Sequence, residues 1–316
     1  MKNDFFKIIR GGLNSTFQDI GRENLYHIGI PFSGAMDRRN YLIANKLIDN
    51  NKEDAVLEFA FQGPCLKYFG TKRSVVITGD VNFEINKNNN NQVKGECYKT
   101  IEINNGDIID IISTNKSVYG YLAINGGFKL EKFLNSYSTS TRAEVGANNG
   151  NKINVDQKIY LNEIEKETFN RKLEYINSKI EFIRIIKGTN FDYFSKDSIN
   201  EFLNKEFLVT KLTDRMGMRL SGPKLENIKD TNIRSEGLIK GAIQVPADGD
   251  PIIMLSDHGT IGGYPKIAIV ISSDYDKLVQ FSPNSKIKFK LVELEEAEKM
   301  YNLYKIETDN LLNQIK

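Results

Sequence analysis

Short stretches rich in β-branched and aromatic residues recur along this chain, most of them closed by a glycine, asparagine or aspartate. They run from "FFKIIRG" through "RSVVITGD", "VNFEIN" and "DIIDIIS" to "EFIRIIKG" and "IAIVIS". Stretches of this length and content favour β-strands, and the residues that close them favour tight turns. The sequence therefore predicts a mainly β protein. The run Asn88 to Asn91 fits a polar hairpin tip, with a disordered loop as the alternative.

Four segments depart from this pattern and predict helices. Asp37 to Ile48 begins with a residue suited to an N-cap and keeps most of one face apolar. Short helices are predicted after Ser198 and after Asp274. From Val292 to the end, apolar side chains recur at near-helical spacing, which predicts a C-terminal helix. We expect that helix to serve packing or an oligomer surface, which leaves a homo-oligomer open.

The length of 316 residues exceeds the size at which one hydrophobic core usually stops growing. Near residue 180 the sequence begins to repeat itself, since "FFKIIRGG" at Phe5 is echoed by "FIRIIKGT" at Phe182. The stretch before the echo is charged and lacks strand alternation. We therefore predict a first domain over residues 1–160, a connecting segment over 161–179 and a second domain over 180–316.

Composition excludes several classes of function. The 43 basic and 41 acidic side chains nearly cancel, and no basic stretch is interleaved with aromatics as a nucleic-acid face requires. No run of about 18 apolar residues predicts a membrane span, and the N-terminus does not resemble a signal peptide, so we expect a cytoplasmic protein. Two isolated histidines and two cysteines outside any C-x-x-C pattern predict neither a metal site nor a disulfide framework.

Two motifs concentrate residues suited to binding small anions. The first, from Ser15 to Asn40, carries Arg22, Ser33 and Asp37 ahead of the predicted helix, whose free N–H groups can receive an anion. Helix capping by Ser33 or Asp37 and an ion pair of Arg22 are the structural alternatives. The second motif, "TDRMGMRLSGPKL", places Asp214, Arg215 and Arg219 close together, and arginine can grip a carboxylate through its planar fork. From the spacing alone, a strand with an ion pair at its edge is the favoured interpretation.

A third motif spans "EGLIKGAIQVPADGDPIIMLSDHGTIGGYPKIAIVIS" and contains acids, an amide, a histidine and a cation. General acid or base chemistry can come from Glu236, Asp257 or His258, although structural hydrogen bonds explain each of them singly. "GTIGGYPK" is not a P-loop, because Tyr-Pro precedes the lysine and no hydroxyl follows it. The chain also lacks the G-x-G-x-x-G fingerprint and the G-x-S-x-G elbow.

Taken in order, "TFQDIGR", "GIPFSGAMD", "DRMGMRLSGPKL" and "GAIQVPADGDPIIMLSDHGTIGGYPKIAIVIS" resemble the biotin-dependent carboxyltransferase family, which includes the C subunit of bacterial 5-oxoprolinase and part of urea amidolyase. The resemblance implies tandem cyclophilin-like β-barrel domains with a few short helices. It also implies partner proteins similar to 5-oxoprolinase subunits A and B, and ATP as a co-substrate held by an unspecified subunit. No Met-Lys-Met biotin attachment site is present, so we expect no covalently bound biotin.

The implied reaction is ATP-dependent cleavage of 5-oxo-L-proline to L-glutamate. Biotin-dependent carboxyl transfer to urea or a related amide is one alternative, and non-enzymatic binding of a kinase-inhibitor-like partner is another. In the first interpretation, Asp257 or Glu236 would orient water or a proton, Lys266 would face developing negative charge, and Arg215 or Arg219 would hold the substrate carboxylate. The further predicted substrate-binding residues are Asp214, Gln244, Thr260, Gly262, Gly263, Arg22, Ser33 and Asp37.

Three positions depart from the family pattern. Tyr119 and Tyr137 stand where the family pattern has arginine, and Gly259 stands where glutamine is frequent. The loss of two cations argues against an anion site in this part of the first domain, and the loss of an amide leaves the ligand less defined.

Overall fold

The computed structural model describes residues 4–89, 91–164, 168–175 and 180–315. These residues form two compact units. Unit 1 comprises Met1–Arg22, Ser33–Ile176 and Thr308–Lys316, and unit 2 comprises Glu23–Phe32 and Asn177–Glu307.

These bounds differ from the sequence-based ones at three places. The described part of the predicted connecting segment belongs to unit 1, where Leu161 N donates to Asp4 O (2.9 Å) and Leu173 N donates to Tyr98 O (2.9 Å). Leu161 and Leu173 are buried, and the charged residues around them concealed this packing in the sequence. Residues 23–32 belong to unit 2, and the last residues, from Thr308, belong to unit 1.

Unit 1 is built from two antiparallel sheets. Its strands are β1 (Phe5–Arg10), β2 (Thr16–Gln18), β3 (Val56–Ala60), β4 (Cys65–Phe69), β5 (Arg73–Thr78), β6 (Val81–Asn86), β7 (Gln92–Lys94), β8 (Ile101–Ile103), β9 (Ile108–Thr114), β10 (Tyr119–Ile124) and β11 (Lys158–Tyr160). One sheet has the order β11-β1-β4-β9-β6-β7, and the other has the order β2-β3-β10-β5-β8. The pairing of β6 with β7 confirms the predicted hairpin, although Asn90 lies outside the described residues.

The core of unit 1 follows from the alternation of side chains along these strands. On β6, Val81, Phe83 and Ile85 are buried while the residues between them are partly exposed. On β1, Phe6 and Ile8 face the same core. Burying each such side chain stabilises the fold by about 1.5–3 kcal/mol, which fixes the register of the strands.

The first helix, α1 (Arg38–Leu47), follows the first motif in unit 1. Its N-cap is Asp37, whose Oδ1 accepts from Asn40 N (3.0 Å) and whose Oδ2 accepts from Asn40 Nδ2 (2.7 Å). The capping interpretation of Asp37 is therefore what the structure shows at this position.

Unit 2 contains one large sheet and one small ribbon. Its strands are β12 (Ile183–Lys187), β13 (Phe207–Thr213), β14 (Gly217–Ser221), β15 (Glu236–Gly237), β16 (Ala242–Gln244), β17 (Ile252–Met254), β18 (Ile261–Gly262), β19 (Lys266–Val270), β20 (Lys286–Ile287) and β21 (Phe289–Leu291). The large sheet has the order β20-β13-β14-β17-β16-β19-β12-β21, and β15 pairs with β18 in the ribbon.

The remaining helices are α2 (Lys196–Asn204), α3 (Tyr275–Leu278) and α4 (Leu294–Gln314). The sequence placed the start of α2 after Ser198, which is wrong. Ser195 is the N-cap and accepts from Ser198 N (3.1 Å), whereas the Ser198 hydroxyl accepts from Glu226 N (2.7 Å). The long α4 confirms the predicted C-terminal helix, and the mainly β fold with short helices is confirmed as a whole.

Both cysteines are free thiols. Cys65 is buried and Cys97 is half-buried, and burial raises the pKa of each thiol to about 11.

Within the described ranges, no helix combines the length and apolar content needed to cross a bilayer. The same ranges contain no group of three or more histidine, cysteine, aspartate or glutamate side chains placed to hold a metal ion.

Candidate functional site

The segment Ser256 to Lys266 in unit 2 links β17 to β19 and carries β18 in its middle. Its two pairings gather residues that are far apart in sequence. Glu236 on β15 lies opposite Gly262, and Gln244 on β16 lies opposite Lys266. Gln244 Nε2 donates to Tyr264 O (3.0 Å), which ties the segment to the large sheet. Strand pairing therefore brings two of the predicted site residues, Glu236 and Gln244, to this segment.

Lys266 on β19 forms an ion pair with Glu236 on β15. The ammonium Nζ donates to Glu236 Oε2 at 2.5 Å, and Lys266 N donates to Asn190 Oδ1 at 3.0 Å. The lysine side chain is only 6% exposed, whereas the glutamate side chain is 47% exposed. A buried ammonium requires a partner, and this one is supplied by a carboxylate that water can reach.

Arg215 and Asp257 form a second ion pair, more deeply buried than the first. Arg215 Nε donates to Asp257 Oδ2 (2.8 Å) and its Nη2 donates to Oδ1 (3.1 Å), with side chains 11% and 5% exposed. Asp257 N also donates to Arg215 O at 2.8 Å. This two-point geometry holds the second motif against the start of the segment.

His258, adjacent to Asp257, is buried and has two polar neighbours. Its Nδ1 lies 2.6 Å from Gly259 O, and its Nε2 lies 3.2 Å from the hydroxyl of Tyr26. Burial lowers the pKa of this imidazole below its usual value. Tyr26 was not among the residues that the sequence predicted, because it lies in the first motif, more than 200 residues from His258.

Two of the three glycines of the segment, Gly262 and Gly263, were predicted site residues, and they differ in their surroundings. A Cβ at Gly262 would lie 2.7 Å from Gln244 Nε2 and 2.7 Å from Leu238 Cδ1, so a side chain cannot fit without displacement. A Cβ at Gly263 would lie 3.2 Å from Ile233 O. Thr260 accepts at its backbone oxygen from Leu238 N (2.9 Å), which joins it to the same ribbon. A side chain at Gly262 would therefore displace the ends of the Gln244 and Leu238 side chains, and glycine allows the ribbon to approach the sheet closely.

The structure does not bring Asp214 and Arg219 into these pairs. Asp214 Oδ1 accepts from Met216 N (2.8 Å) and Gly217 N (3.1 Å), and so closes the turn before β14. Arg219 lies opposite Ile252 with an exposed side chain, and no residue in the described ranges forms an ion pair with it. Asp214 thus shapes a turn, and Arg219 remains a surface cation.

Arg22 and Asp19 of the first motif lie in a polar cluster inside unit 1. Arg22 is buried, donates to Phe133 O (3.2 Å) through Nε, and donates to Ser138 O through Nη2. Asp19 accepts from Ser136 Oγ (2.7 Å) and Tyr137 N (2.6 Å). Arg22 therefore has backbone carbonyl partners, whereas the sequence predicted either an ion pair or binding of an anion.

Two further predicted site residues, Ser33 and Asp37, lie in unit 1. Ser33 is fully buried and adopts a positive φ of 56°, and its hydroxyl has no hydrogen-bond partner among the described residues. Asp37 caps α1. At the departure from the family pattern, the ring of Tyr137 has Lys132 Nζ 5.0 Å from its centroid, and Tyr119 is buried in β10.

A cavity of about 510 Å³ in unit 1 borders the polar cluster of Arg22, which contacts Phe133 in the cavity wall. Its wall includes Lys129, Lys132, Phe133, Glu144, Asn148 and Lys158. It carries both signs of charge, and its lining contains none of the predicted site residues.

Comparison with models of known families shows which family the chain belongs to. Residues 28–291 match the model of the carboxyltransferase domain, subdomain A and B. This chain belongs to that family. The resemblance seen in the motifs is thereby confirmed, and the match includes Arg215, Glu236, Asp257 and Lys266.

Relatives within the carboxyltransferase family are components of enzymes. The chain is 30% identical to the C subunit of 5-oxoprolinase from Haemophilus influenzae over 94% of both chains, and 29% identical to the Escherichia coli protein of the same name over 93% of both. It is also similar to the crystal structure of urea amidolyase from K. lactis, with 25% identity and a TM-score of 0.88. That similarity covers 98% of this chain but only 20% of the urea amidolyase.

The arrangement in unit 2 offers this family member a defined chemistry. It combines a buried ammonium, a carboxylate open to water, a neutral imidazole and a glycine-lined strand. Such groups can bind an anion and stabilise negative charge that develops on an oxygen.

Proposed function

We propose that this chain is the C subunit of an ATP-dependent 5-oxoprolinase complex, which cleaves 5-oxo-L-proline to L-glutamate together with partners similar to subunits A and B. The observation that carries the proposal is the similarity to two proteins named as C subunits of 5-oxoprolinase, which extends over at least 93% of each partner in the comparison. The similarity to urea amidolyase covers one fifth of that larger protein.

The candidate site suits the chemistry of this substrate. 5-Oxoproline carries a carboxylate and a cyclic amide, and its hydrolysis forms a C–O bond from water, breaks the C–N bond and gives the leaving nitrogen a proton. Negative charge develops on the amide oxygen while water adds. Lys266 supplies a buried positive charge for the carboxylate or for this oxygen, and a buried charge acts more strongly than an exposed one.

The two ion pairs have different roles in this proposal. Arg215 is held by both oxygens of Asp257, and both side chains are almost fully buried. This pair therefore fixes the segment in place. Glu236 is half-exposed, so it can leave Lys266 when an anionic substrate arrives, and it can then orient water.

ATP is a co-substrate of the proposed reaction, and biotin takes no part in it. This sequence contains neither a P-loop nor a G-x-G-x-x-G fingerprint, so no residue of this chain is proposed to hold the nucleotide. It also lacks a Met-Lys-Met biotin attachment site.

A comparison of substrates tests the proposal. The chain is purified with its A and B partners, and ATP hydrolysis is measured with 5-oxo-L-proline and with urea. We expect ATP consumption coupled to glutamate release with 5-oxoproline. The proposal would be refuted if the complex hydrolysed ATP with urea but not with 5-oxo-L-proline.

The similarity to urea amidolyase favours one second candidate, a biotin-dependent carboxyltransferase that acts on urea or a related amide. The TM-score of 0.88 over 98% of this chain supports it. Such an activity requires a biotin carrier and is inhibited by avidin, whereas hydrolysis of 5-oxoproline is not.

A further inference from the structure

The hydrogen bonds of His258 determine which of its nitrogens carries the proton. Gly259 O lies 2.6 Å from Nδ1, and a carbonyl oxygen can only accept. Nδ1 is therefore the protonated nitrogen of the neutral ring, and Nε2 carries the lone pair. This assignment follows from the partner and needs no information on the hydrogen position itself.

Tyr26 completes the arrangement on the other side of the ring. Its hydroxyl lies 3.2 Å from Nε2, and the two ring centroids are 5.6 Å apart. Since Nε2 is the acceptor, the tyrosine O–H is the donor. Tyr26 is 36% exposed while His258 is 1% exposed, so the phenol connects a buried base to the outside of the protein.

We propose that Tyr26 and His258 form a proton relay for the site in unit 2, in which the phenol exchanges protons with substrate or water and the imidazole is the base behind it. The inference rests on the proposed function for its chemical task. The pair itself stands on the geometry of Gly259, His258 and Tyr26.

The proton balance of the relay is simple. A proton from the attacking water passes to the Tyr26 oxygen while the O–H bond of Tyr26 breaks and its proton passes to Nε2. Tyr26 ends neutral, and His258 ends as an imidazolium that returns the proton to the leaving nitrogen by the reverse path. Burial raises the pKa of Tyr26, so a concerted transfer that avoids a free phenolate is the favoured course.

The charged groups around His258 set the direction of its titration. Burial lowers its pKa most, the hydrogen bond to Gly259 O opposes burial, Lys240 lowers the pKa further and Asp257 raises it, and the net shift is downward. Asp257 is itself engaged by Arg215, which limits its attraction for an imidazolium. The imidazole is thus neutral at pH 7 and ready to accept a proton.

Nuclear magnetic resonance of the full chain labelled with ¹⁵N-histidine tests the geometry without any activity. The chain has two histidines, and His27 is exposed on the turn Tyr26–Ile28, so His27→Gln assigns both sets of signals. We expect His258 to carry its proton on Nδ1 and to titrate below the usual histidine value of 6.5, and Tyr26→Phe to shift the Nε2 signal. A proton on Nε2, or a His258 pKa at or above 6.5, would overturn the relay.

The pH dependence of glutamate formation by the complete complex tests whether the relay transfers protons during the reaction. Tyr26→Phe and His258→Gln should each lower kcat by about 100-fold, the scale of general acid–base catalysis. In His258→Gln the residual rate should also lose the decline that we expect of the wild type below pH 6.5, while His27→Gln should match the wild type. Full activity in either relay variant, or an unchanged acidic limb in His258→Gln, would overturn the relay. A wild-type complex without 5-oxoprolinase activity would instead refute the proposed function, and with it the relay's task.

Discussion

Lys266 Nζ lies 2.5 Å from Glu236 Oε2, with the ammonium buried and the carboxylate half-exposed. Among the residues that the structure describes, Glu236 is the single hydrogen-bond partner of this ammonium. The two strands that carry them are short, and the ribbon of β15 and β18 contributes only two paired positions. An anion that enters the site can therefore replace a carboxylate whose release into water costs little.

Lys266→Met should abolish most of the activity while the fold is retained. We expect glutamate formation by the complex to fall by about 100-fold, the usual cost of removing one group that stabilises negative charge. Stability should hold, because the change removes a buried charge and leaves Glu236 open to water. Enzyme assays and thermal unfolding measure the two effects.

The control for this variant is Lys286→Met. Lys286 pairs with Glu206 on the surface, where the lysine side chain is 65% exposed. The activity of the complex with Lys286→Met should equal that of the wild type. Equal activity in Lys266→Met and Lys286→Met would show that the buried ammonium has no part in the reaction.

Asp257→Asn should destabilise unit 2. Removing the carboxylate from the buried pair with Arg215 should lower the free energy of unfolding by about 3–5 kcal/mol. Asp192→Asn, in an exposed pair with Lys229, should lower it by less than about 1 kcal/mol. Urea unfolding of both variants makes the comparison, and similar losses would mean that the Arg215 pair does not hold the segment.

Gly262→Ala should displace the ribbon from the large sheet. The added methyl lies 2.7 Å from Gln244 Nε2 and Leu238 Cδ1, which are the ends of side chains that can shift, so we expect a loss of about 1 kcal/mol, the low end of the cost of overpacking. Gly237→Ala provides a matched control on the opposite strand, since a Cβ there meets nothing within 4 Å. Thermal unfolding should separate the two variants, and a harmless Gly262→Ala would show that close approach is not required.

Stability should decline as the pH falls below 6.5. The folded state lowers the pKa of His258 from a usual value of 6.5, so the unfolded state binds the proton more readily and gains population as the medium acidifies. Above pH 6.5 this contribution is fully present. His258→Gln should flatten this part of the curve of melting temperature against pH, and an unchanged curve would assign the acid sensitivity to other groups.

Strands and helices followed from the sequence because their patterns are local. The alternation on β6 and the N-cap Asp37 needed no knowledge of the remaining chain. The start of α2 did not follow, because two serines three residues apart both suit an N-cap. A contact with Glu226, far along the chain, engages Ser198 and leaves Ser195 to cap the helix.

The residue types of the candidate site were predictable, but their pairing was not. Arg215 has Asp214 as its neighbour in sequence, yet its partner is Asp257. Asp214 is used by the turn before β14. Lys266 and Glu236 meet only because β15 pairs with β18 and β16 pairs with β19. Such pairings depend on strand order, which no local pattern contains.

The decisive test of the proposed 5-oxoprolinase role is an assay of glutamate formation from 5-oxo-L-proline. The assay uses the complex of this chain with its A and B partners, with ATP and avidin present. We expect ATP-dependent glutamate formation that avidin leaves unchanged and that stops when this chain is omitted. Glutamate formation that continues at the same rate without this chain, or that avidin abolishes, would contradict it.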